Sequence, residues 1–211
     1  MNTPRFFAGL DIGKLHDHSA LAVLELRTRQ AGFDRVYWVP MIEWDLRVRR
    51  LTRFPLGTSY RDLVDSVERE MRTPAFGIDT PLVVDATGVG DAIVDLLKGS
   101  AIPLVPVILT GGERATHSGG RLHVPKHQLI DTLCVLLEQG KLAVVRRLPL
   151  ADAFLRELND FEARVSVSGR PSYGAFRENA HDDLVIAVAL AAWYCRYTYP
   201  DPGRVRLPPP L

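Results

Sequence analysis

Four aspartates at three separate places in this sequence have the type and setting expected of metal ligands. Asp11 and Asp85 each end a short apolar segment, and Asp182 and Asp183 stand together before a long apolar segment. A carboxylate next to buried residues is costly unless an opposite charge compensates it. Carboxylate oxygens are hard ligands, which suit Mg²⁺ or Mn²⁺. The sequence therefore predicts a divalent-metal site built from these aspartates.

Asp11 lies in the segment FFAGLDIG (6–13), whose apolar residues predict a buried strand. Gly13 lets the chain turn and leaves room beside the carboxylate. A cap on the strand end, or on the turn that follows it, is the alternative role for Asp11.

Asp85 repeats this pattern at the end of PLVVD (81–85), and a Thr-Gly-Val-Gly turn and a helix follow it. Ligands bind beyond the carboxyl ends of the strands in parallel sheets. Helix capping is the alternative role, although Thr87 or Asp91 could supply that cap. The turn lacks the spacing and the lysine of a phosphate-binding loop, which disfavours nucleotide binding.

Asp182 and Asp183 begin a helix predicted over 181–197 that is apolar nearly all round. A helix without a polar face is typically buried. Carboxylates in a first turn also favour the helix dipole, and this is the alternative role for the pair. Two adjacent carboxylates exceed what a cap requires, and a cap explains Asp182 better than Asp183.

Three carboxylate sites at one pole of a sheet would suit two divalent cations. Two such ions about 4 Å apart can activate a water and stabilise the leaving oxygen of a phosphodiester. The carboxylates would hold the metals rather than act as the nucleophile.

The remaining patterns predict the elements that must position these carboxylates. In chain order we expect strands at 6–13, 19–26 and 36–43, a helix at 58–71, a strand at 81–85, a helix at 91–98, a strand at 103–109, a loop at 110–122, a helix at 125–139, a strand at 142–145, a helix at 150–159, a hairpin at 164–175 and a helix at 181–197.

This order predicts one α/β domain over residues 1–198. The three leading strands indicate an antiparallel meander, and the alternation of strands and helices indicates parallel pairing after it. The predicted fold is thus a mixed sheet flanked by helices, with an added β-hairpin. Residues 199–211 are rich in proline and are expected to form a disordered tail.

The composition limits the class of protein. Of the 211 residues, 46% are apolar, which is enough for a sizeable core. Lys and Arg number 26 against 25 Asp and Glu, so any binding of nucleic acid must come from a local basic patch. Two distant cysteines make no zinc cluster, and no apolar segment is long enough to span a membrane. We expect a soluble, intracellular protein.

The sequence resembles the RNase H-like superfamily, and within it the nuclease domain of the large terminase subunit of tailed bacteriophages. Four stretches carry the resemblance, which covers roughly residues 5–198: GLDIG (9–13), VVDATGVGD (83–91), the helix that begins with VPK (124–139) and HDDLVIAVALA (181–191).

The resemblance implies a RuvC-like endonuclease that cuts concatemeric viral DNA with two ions, Mg²⁺ or Mn²⁺, in the cytoplasm of a bacterial host. Asp11 would bridge both metals, Asp85 would bind one and Asp183 the other. Asp182 would be a supporting ligand, and His181 could orient a carboxylate or water, although a histidine at a helix entry often has no such role.

Large terminases also carry an ATPase motor. This chain has neither room for one nor a phosphate-binding loop, so we expect an excised domain or a free-standing relative. An ATPase motor, a portal protein and a small terminase subunit are the partners that the resemblance implies, besides double-stranded DNA.

Several basic residues are candidates for contact with DNA phosphates. Lys14 stands near Asp11, and Lys126 begins a helix whose N-terminus would attract phosphate. Arg114 and Arg121 belong to the predicted loop at 110–122. Further candidates are His117 in that loop, Arg164 and Arg170 in the predicted hairpin, and the run Arg47, Arg49, Arg50 and Arg53, for which a solvated loop is the alternative.

Other functions fit parts of the same pattern. A Holliday-junction resolvase or a transposase-like nuclease would have the same metal site. A catalytically silent packaging module would bind DNA without cutting it. An actin-like ATP-binding fold would need a repeated domain, for which 211 residues leave no space.

Overall fold

A computed structural model of the protein describes residues 5–13, 17–145, 147–167 and 181–199. In chain order they form β1 (Arg5–Asp11), β2 (Ala20–Asp34), β3 (Val39–Arg53), α1 (Tyr60–Met71), β4 (Leu82–Asp85), α2 (Gly90–Leu97), β5 (Leu104–Thr110), β6 (Thr116–Ser118), β7 (Arg121–Pro125), α3 (Lys126–Glu138), β8 (Leu142–Val144), α4 (Ala151–Val167) and α5 (Asp183–Thr198).

The strands form one mixed sheet in the order β6-β7-β5-β4-β1-β2-β3-β8. β1, β2 and β3 pair antiparallel as a meander. β4, β5 and β7 run parallel to β1, and β8 runs parallel to β3. The predicted mixed sheet, with a meander followed by parallel strands, is therefore confirmed.

Helices cover both faces of the sheet. On one face α1 and α2 pack on a cluster that includes Leu10 and Val84. On the other face α3, α4 and α5 pack on a cluster that includes Val83. Successive residues of a strand point to opposite faces, so Asp11 and Asp85 point to the side of α5.

The central element of that second layer is α5, in which every residue from Asp183 to Trp193 is buried. This confirms the predicted buried helix. Gly9 lets α5 approach β1, because a Cβ at this position would lie 2.0 Å from the carbonyl oxygen of Ala187 and 2.9 Å from the amide nitrogen of Ala191. The contact holds Asp183, one helical turn before Ala187, near the end of β1. Neither α5 nor another helix of the described residues is long and apolar enough to cross a membrane.

The third strand is longer than predicted. β3 continues to Arg53, and the predicted end at residue 43 was wrong. Trp44, Leu46 and Val48 are buried at alternate positions, which is the period of a strand with one covered face. A register shift against Val23 and Leu24 then interrupts this alternation.

A short hairpin replaces most of the loop predicted at 110–122. β6 and β7 pair antiparallel around Gly119 and Gly120, whose φ angles are +57° and +74°. Two successive residues with positive φ form the tight turn that favours hairpins, and glycine adopts it without strain. The loop prediction holds for residues 111–115 and was wrong for the hairpin.

The hairpin predicted at 164–175 was wrong for its first four residues. α4 continues to Val167, because adding a residue to a formed helix costs less than starting a new element. The rest of that predicted hairpin, at 168–175, lies outside the described residues, as do residues 200–211 of the predicted tail.

The packing of α5 on Gly9 predicts the effect of one methyl group. Gly9→Ala should lower the free energy of unfolding by about 1–3 kcal/mol or more, because two backbones would have to separate. Chemical denaturation would measure this change. Gly99→Ala is the control, because a Cβ at Gly99 has no atom within 4 Å. Equal stability of the two variants would contradict the close approach of α5.

Candidate metal centre

Asp11 and Asp85 end neighbouring parallel strands. Leu10 pairs with Val84 in the register of β1 and β4, so the next residues, Asp11 and Asp85, meet at the same pole of the sheet. Burial raises the pKa of the Asp11 carboxyl well above its usual range, and the charges of Asp85, Asp182 and Asp183 raise it further. The four predicted ligands therefore act on one another electrostatically.

Asp85 also shapes the turn that follows β4. Its Oδ1 accepts a hydrogen bond from the Thr87 amide at 2.8 Å. The Thr87 hydroxyl in turn accepts one from the Leu109 amide at 2.9 Å, which ties the turn to β5. Burial raises the pKa of Asp85, and the hydrogen bonds from Thr87 oppose that shift. Val89 occupies the N-cap position of α2, so Asp85 does not cap this helix.

Asp182 and Asp183 occupy the start of α5, as predicted. Asp182 takes the N-cap position, yet its side chain makes no capping hydrogen bond. Its Oδ2 lies 3.7 Å from Lys126 Nζ instead. The capping alternative for Asp182 therefore has no support in its contacts.

Asp183 is only 4% exposed. Burial raises the pKa of its carboxyl, and the positive charge of Arg53 is the main influence that lowers it. Its buried Oδ2 lies 3.1 Å from Arg53 Nε, although no described group donates it a hydrogen bond of good geometry. A cation of the protein therefore already faces this oxygen.

The donor set fits a hard divalent cation, although no three described His, Cys, Asp or Glu side chains lie close enough together to hold an ion as they stand. All four candidate donors are carboxylates, and the repulsion among them would be relieved by added positive charge. The basic side chains of Lys126 and Arg53 face these carboxylates.

The residues predicted to contact DNA differ in their position and in their partners. Lys126 begins α3 beside the carboxylates, and its charge lowers the pKa of both Asp11 and Asp85. Arg114 is exposed in the loop at 111–115. Arg121 forms an ion pair with Asp91. Lys14 lies outside the described residues.

The arginine run at 47–53 is not the solvated loop that was one interpretation of the sequence. It belongs to β3, and each arginine pairs with a carboxylate of the protein. The pairs are Arg47 with Asp45, Arg49 with Glu25, Arg50 with Glu70, and Arg53 with both Glu157 and Asp183. This run therefore neutralises acidic side chains within the fold.

Sequence reasoning did not assign to the metal centre three residues that lie next to the carboxylates. Arg53 and Glu157 contact Asp183 or its helix. His18 donates from Nδ1 to the Phe54 carbonyl oxygen at 2.9 Å, and its ring meets that of His181 edge to face at 5.2 Å.

Only one of the three residues carried a signal in the sequence. That residue is Glu157, which lies three residues after Phe154 and directly before Leu158 in the predicted helix. A charged residue on the apolar side of a helix indicates a buried partner.

Comparison with known proteins supports the resemblance found in the sequence. No family model matches the chain. The large terminase subunits of Thermus phage G20c and Thermus virus P23-45 are each 28% identical to it over 194 residues, which is 92% of this chain and 32% of the relative. The chain thus spans about a third of the length of these curated relatives.

Solved structures give the same result. The large terminase nuclease from thermophilic phage G20c with bound magnesium is 26% identical in sequence to this chain. The alignment covers 90% of this chain and 80% of the nuclease chain, with a TM-score of 0.57. The zinc-bound form gives a TM-score of 0.54, with 26% identity over 89% of this chain and 80% of its own.

A more distant structure shares the fold. The human cytomegalovirus terminase nuclease domain, soaked with manganese and bound to an inhibitor, is 12% identical over 90% of this chain and 82% of its own, with a TM-score of 0.53. The predicted resemblance to large terminase nuclease domains and the RNase H-like fold are confirmed.

The raised pKa of Asp11 predicts how pH affects the metal-free protein. The folded state holds the proton more tightly than the unfolded state, whose pKa is about 3.9. The contribution of Asp11 to stability is therefore most favourable below that value and is lost as the pH rises through the folded pKa. Asp11→Asn removes this charge, so in EDTA it should raise the melting temperature at pH 8 by about 2–4 °C, and by less at pH 5.

Thermal unfolding of the wild type, Asp11→Asn and Asp65→Asn measures this difference. Asp65 is exposed on α1, so its substitution is the control. A melting temperature of Asp11→Asn that is no higher than that of the wild type at pH 8 would contradict the repulsion.

Proposed function

We propose that this chain is a divalent-metal-dependent endonuclease that hydrolyses double-stranded DNA. The observation that carries the proposal is the convergence of Asp11, Asp85, Asp182 and Asp183 at one pole of an RNase H-like sheet, where burial and the charges of the other three raise the pKa of Asp11. The similarity to terminase nucleases with bound magnesium and zinc supports it.

Each aspartate has a distinct task in this proposal. Asp11, Asp85 and Asp183 would hold two divalent ions, Mg²⁺ or Mn²⁺, with Asp11 shared between them, and Asp182 would support this set. When bound, the ions activate a water and stabilise the leaving oxygen of the phosphodiester. Asp11 and Asp85 lie on paired strands and keep a fixed separation, while the packing of α5 on β1 sets the position of Asp183.

Lys126 has two tasks in this proposal. Its Nζ lies 3.7 Å from Asp182 Oδ2 and offsets the excess of negative charge. Released from that contact, its ammonium group reaches a DNA phosphate next to the N-terminus of α3, where helix amides also favour an anion.

His181, exposed just before α5, orients a carboxylate or a water.

The DNA path in this proposal runs along the carboxyl ends of β1, β4 and β5. Arg114, exposed in the loop after β5, contacts the backbone, and Lys14, three residues after Asp11 in the sequence, is the other proposed contact. Arg121 contributes only when DNA phosphate competes with Asp91 for its guanidinium, since the two side chains are paired in the free protein.

The biological setting of the proposed reaction is the cutting of concatemeric viral DNA during packaging, in the cytoplasm of a bacterial host. The similarity to large terminase subunits, of which this chain spans 32%, supports that setting. An ATPase motor, a portal protein and a small terminase subunit are the partners proposed with it. The near balance of 26 basic against 25 acidic residues favours a partner that helps to hold DNA.

Plasmid digestion tests the nuclease proposal. The wild type should nick supercoiled plasmid with Mg²⁺ or Mn²⁺ and leave it intact in EDTA. Asp11→Asn and Asp183→Asn should lower the rate at least about 100-fold, because each loses a metal ligand. Asp65→Asn should cut at the wild-type rate. Intact plasmid with folded wild type and either metal would refute the proposal, and full activity of Asp11→Asn would refute the assignment of its ligands.

The salt dependence of DNA binding tests Lys126. Lys126→Ala should weaken binding to all sequences alike and reduce the slope of log K against log salt by about one unit. Lys98→Ala is the control, because Lys98 directly follows the last residue of α2 and pairs with Asp95 of that helix. Fluorescence anisotropy with Ca²⁺ in place of the active metal would measure both. An unchanged slope for Lys126→Ala would remove Lys126 from the DNA contacts.

A further inference from the structure

We propose that Arg53 and Glu157 are positioning residues that hold Asp183 in place for metal binding; this inference rests on the metal site proposed above. Arg53 ends β3, Glu157 lies on α4 and Asp183 begins α5. The three side chains thus join three elements that are distant in the sequence. We call them the Arg53–Glu157–Asp183 cluster.

Arg53 is the cation at the centre of the cluster. Its Nε lies 3.1 Å from Asp183 Oδ2, and another of its nitrogens forms an ion pair with Glu157 Oε1. The Arg53 side chain is only 19% exposed, and those of its partners are less exposed still. A buried guanidinium between two carboxylates limits the side-chain rotations of both.

Glu157 supplies the cap that α5 does not supply itself. Its Oε2 accepts hydrogen bonds from the amides of Leu184 and Val185, at 3.0 and 3.4 Å. These are first-turn amides, which have no partner inside the helix. The side chain of Asp182, at the N-cap position, makes no such bond. Glu157 therefore fixes the start of α5, and with it the backbone of Asp183.

Both oxygens of Glu157 have partners within the protein. Oε1 pairs with Arg53, and Oε2 faces the amides of α5. This carboxylate therefore acts on the metal through Asp183, not as a ligand. One guanidinium serves two carboxylates, so the cluster keeps a net negative charge that a cation can use.

A comparison of two arginine variants separates positioning from stability. Arg53→Lys keeps the positive charge but loses the planar fork that spans both carboxylates. Arg49→Lys is the matched control, because Arg49 of β3 pairs with Glu25 through Nε at 3.0 Å, away from Asp183. Glu157→Gln keeps an oxygen for the α5 amides and loses the ion pair, and Glu25→Gln is its control.

Isothermal titration with Mn²⁺ gives the first readout, and plasmid nicking the second. Arg53→Lys should weaken Mn²⁺ binding about 10-fold or more, the effect of removing a residue that orients a metal ligand. It should lower kcat and leave KM for DNA near the wild-type value. Arg49→Lys and Glu25→Gln should bind Mn²⁺ like the wild type.

The fitted Mn²⁺ affinity describes the folded molecules, and the stoichiometry of the titration gives their fraction. Thermal unfolding in EDTA would measure any loss of stability separately. If Arg53→Lys does not fold, Glu157→Gln replaces it, with the same 10-fold loss expected. Wild-type Mn²⁺ affinity in the folded variant would overturn the positioning role. No Mn²⁺ binding by the wild type would instead refute the metal site of the proposed function.

Discussion

The close contact between α5 and β1 is the constraint on which the rest of this structure depends. A Cβ at Gly9 would lie 2.0 Å from the carbonyl oxygen of Ala187, so only glycine permits this approach. The contact brings a helix that is buried on all sides to the middle of the sheet. Asp11 and Asp183 are held near each other as a consequence, one just after the contact in β1 and the other one turn before it in α5.

The sequence alone predicted the mixed sheet and the pole at which the carboxylates meet. Both predictions depended on local patterns, because the strand ends at Asp11 and Asp85 follow short apolar segments and α5 has no polar face. Local patterns of this kind report which side of an element is covered. The same reasoning explains why Asp182 was the hardest to assign: a cap and a ligand occupy the same position, and only its contacts exclude the capping bond.

The remaining features depend on pairing in three dimensions. Arg53 was a candidate DNA contact in a run that could also have been a solvated loop, because nothing nearby in the sequence indicates its partners at positions 157 and 183. The hairpin of β6 and β7 was hidden because β6 is only three residues long and polar, although the two glycines between the strands are a turn signal. Gly9 was overlooked within an apolar strand, where a glycine often marks the approach of another backbone.

The order of the elements along the chain determines when the domain becomes complete. β1 is synthesised first among the described elements and α5 last, so the strip of sheet around Gly9 stays uncovered through most of translation. A nascent or prematurely ended chain exposes that apolar strip, which makes it a target for chaperones and proteases. Such a chain contains Asp11 and Asp85 but not Asp183. An unfinished chain therefore lacks the full set of carboxylates.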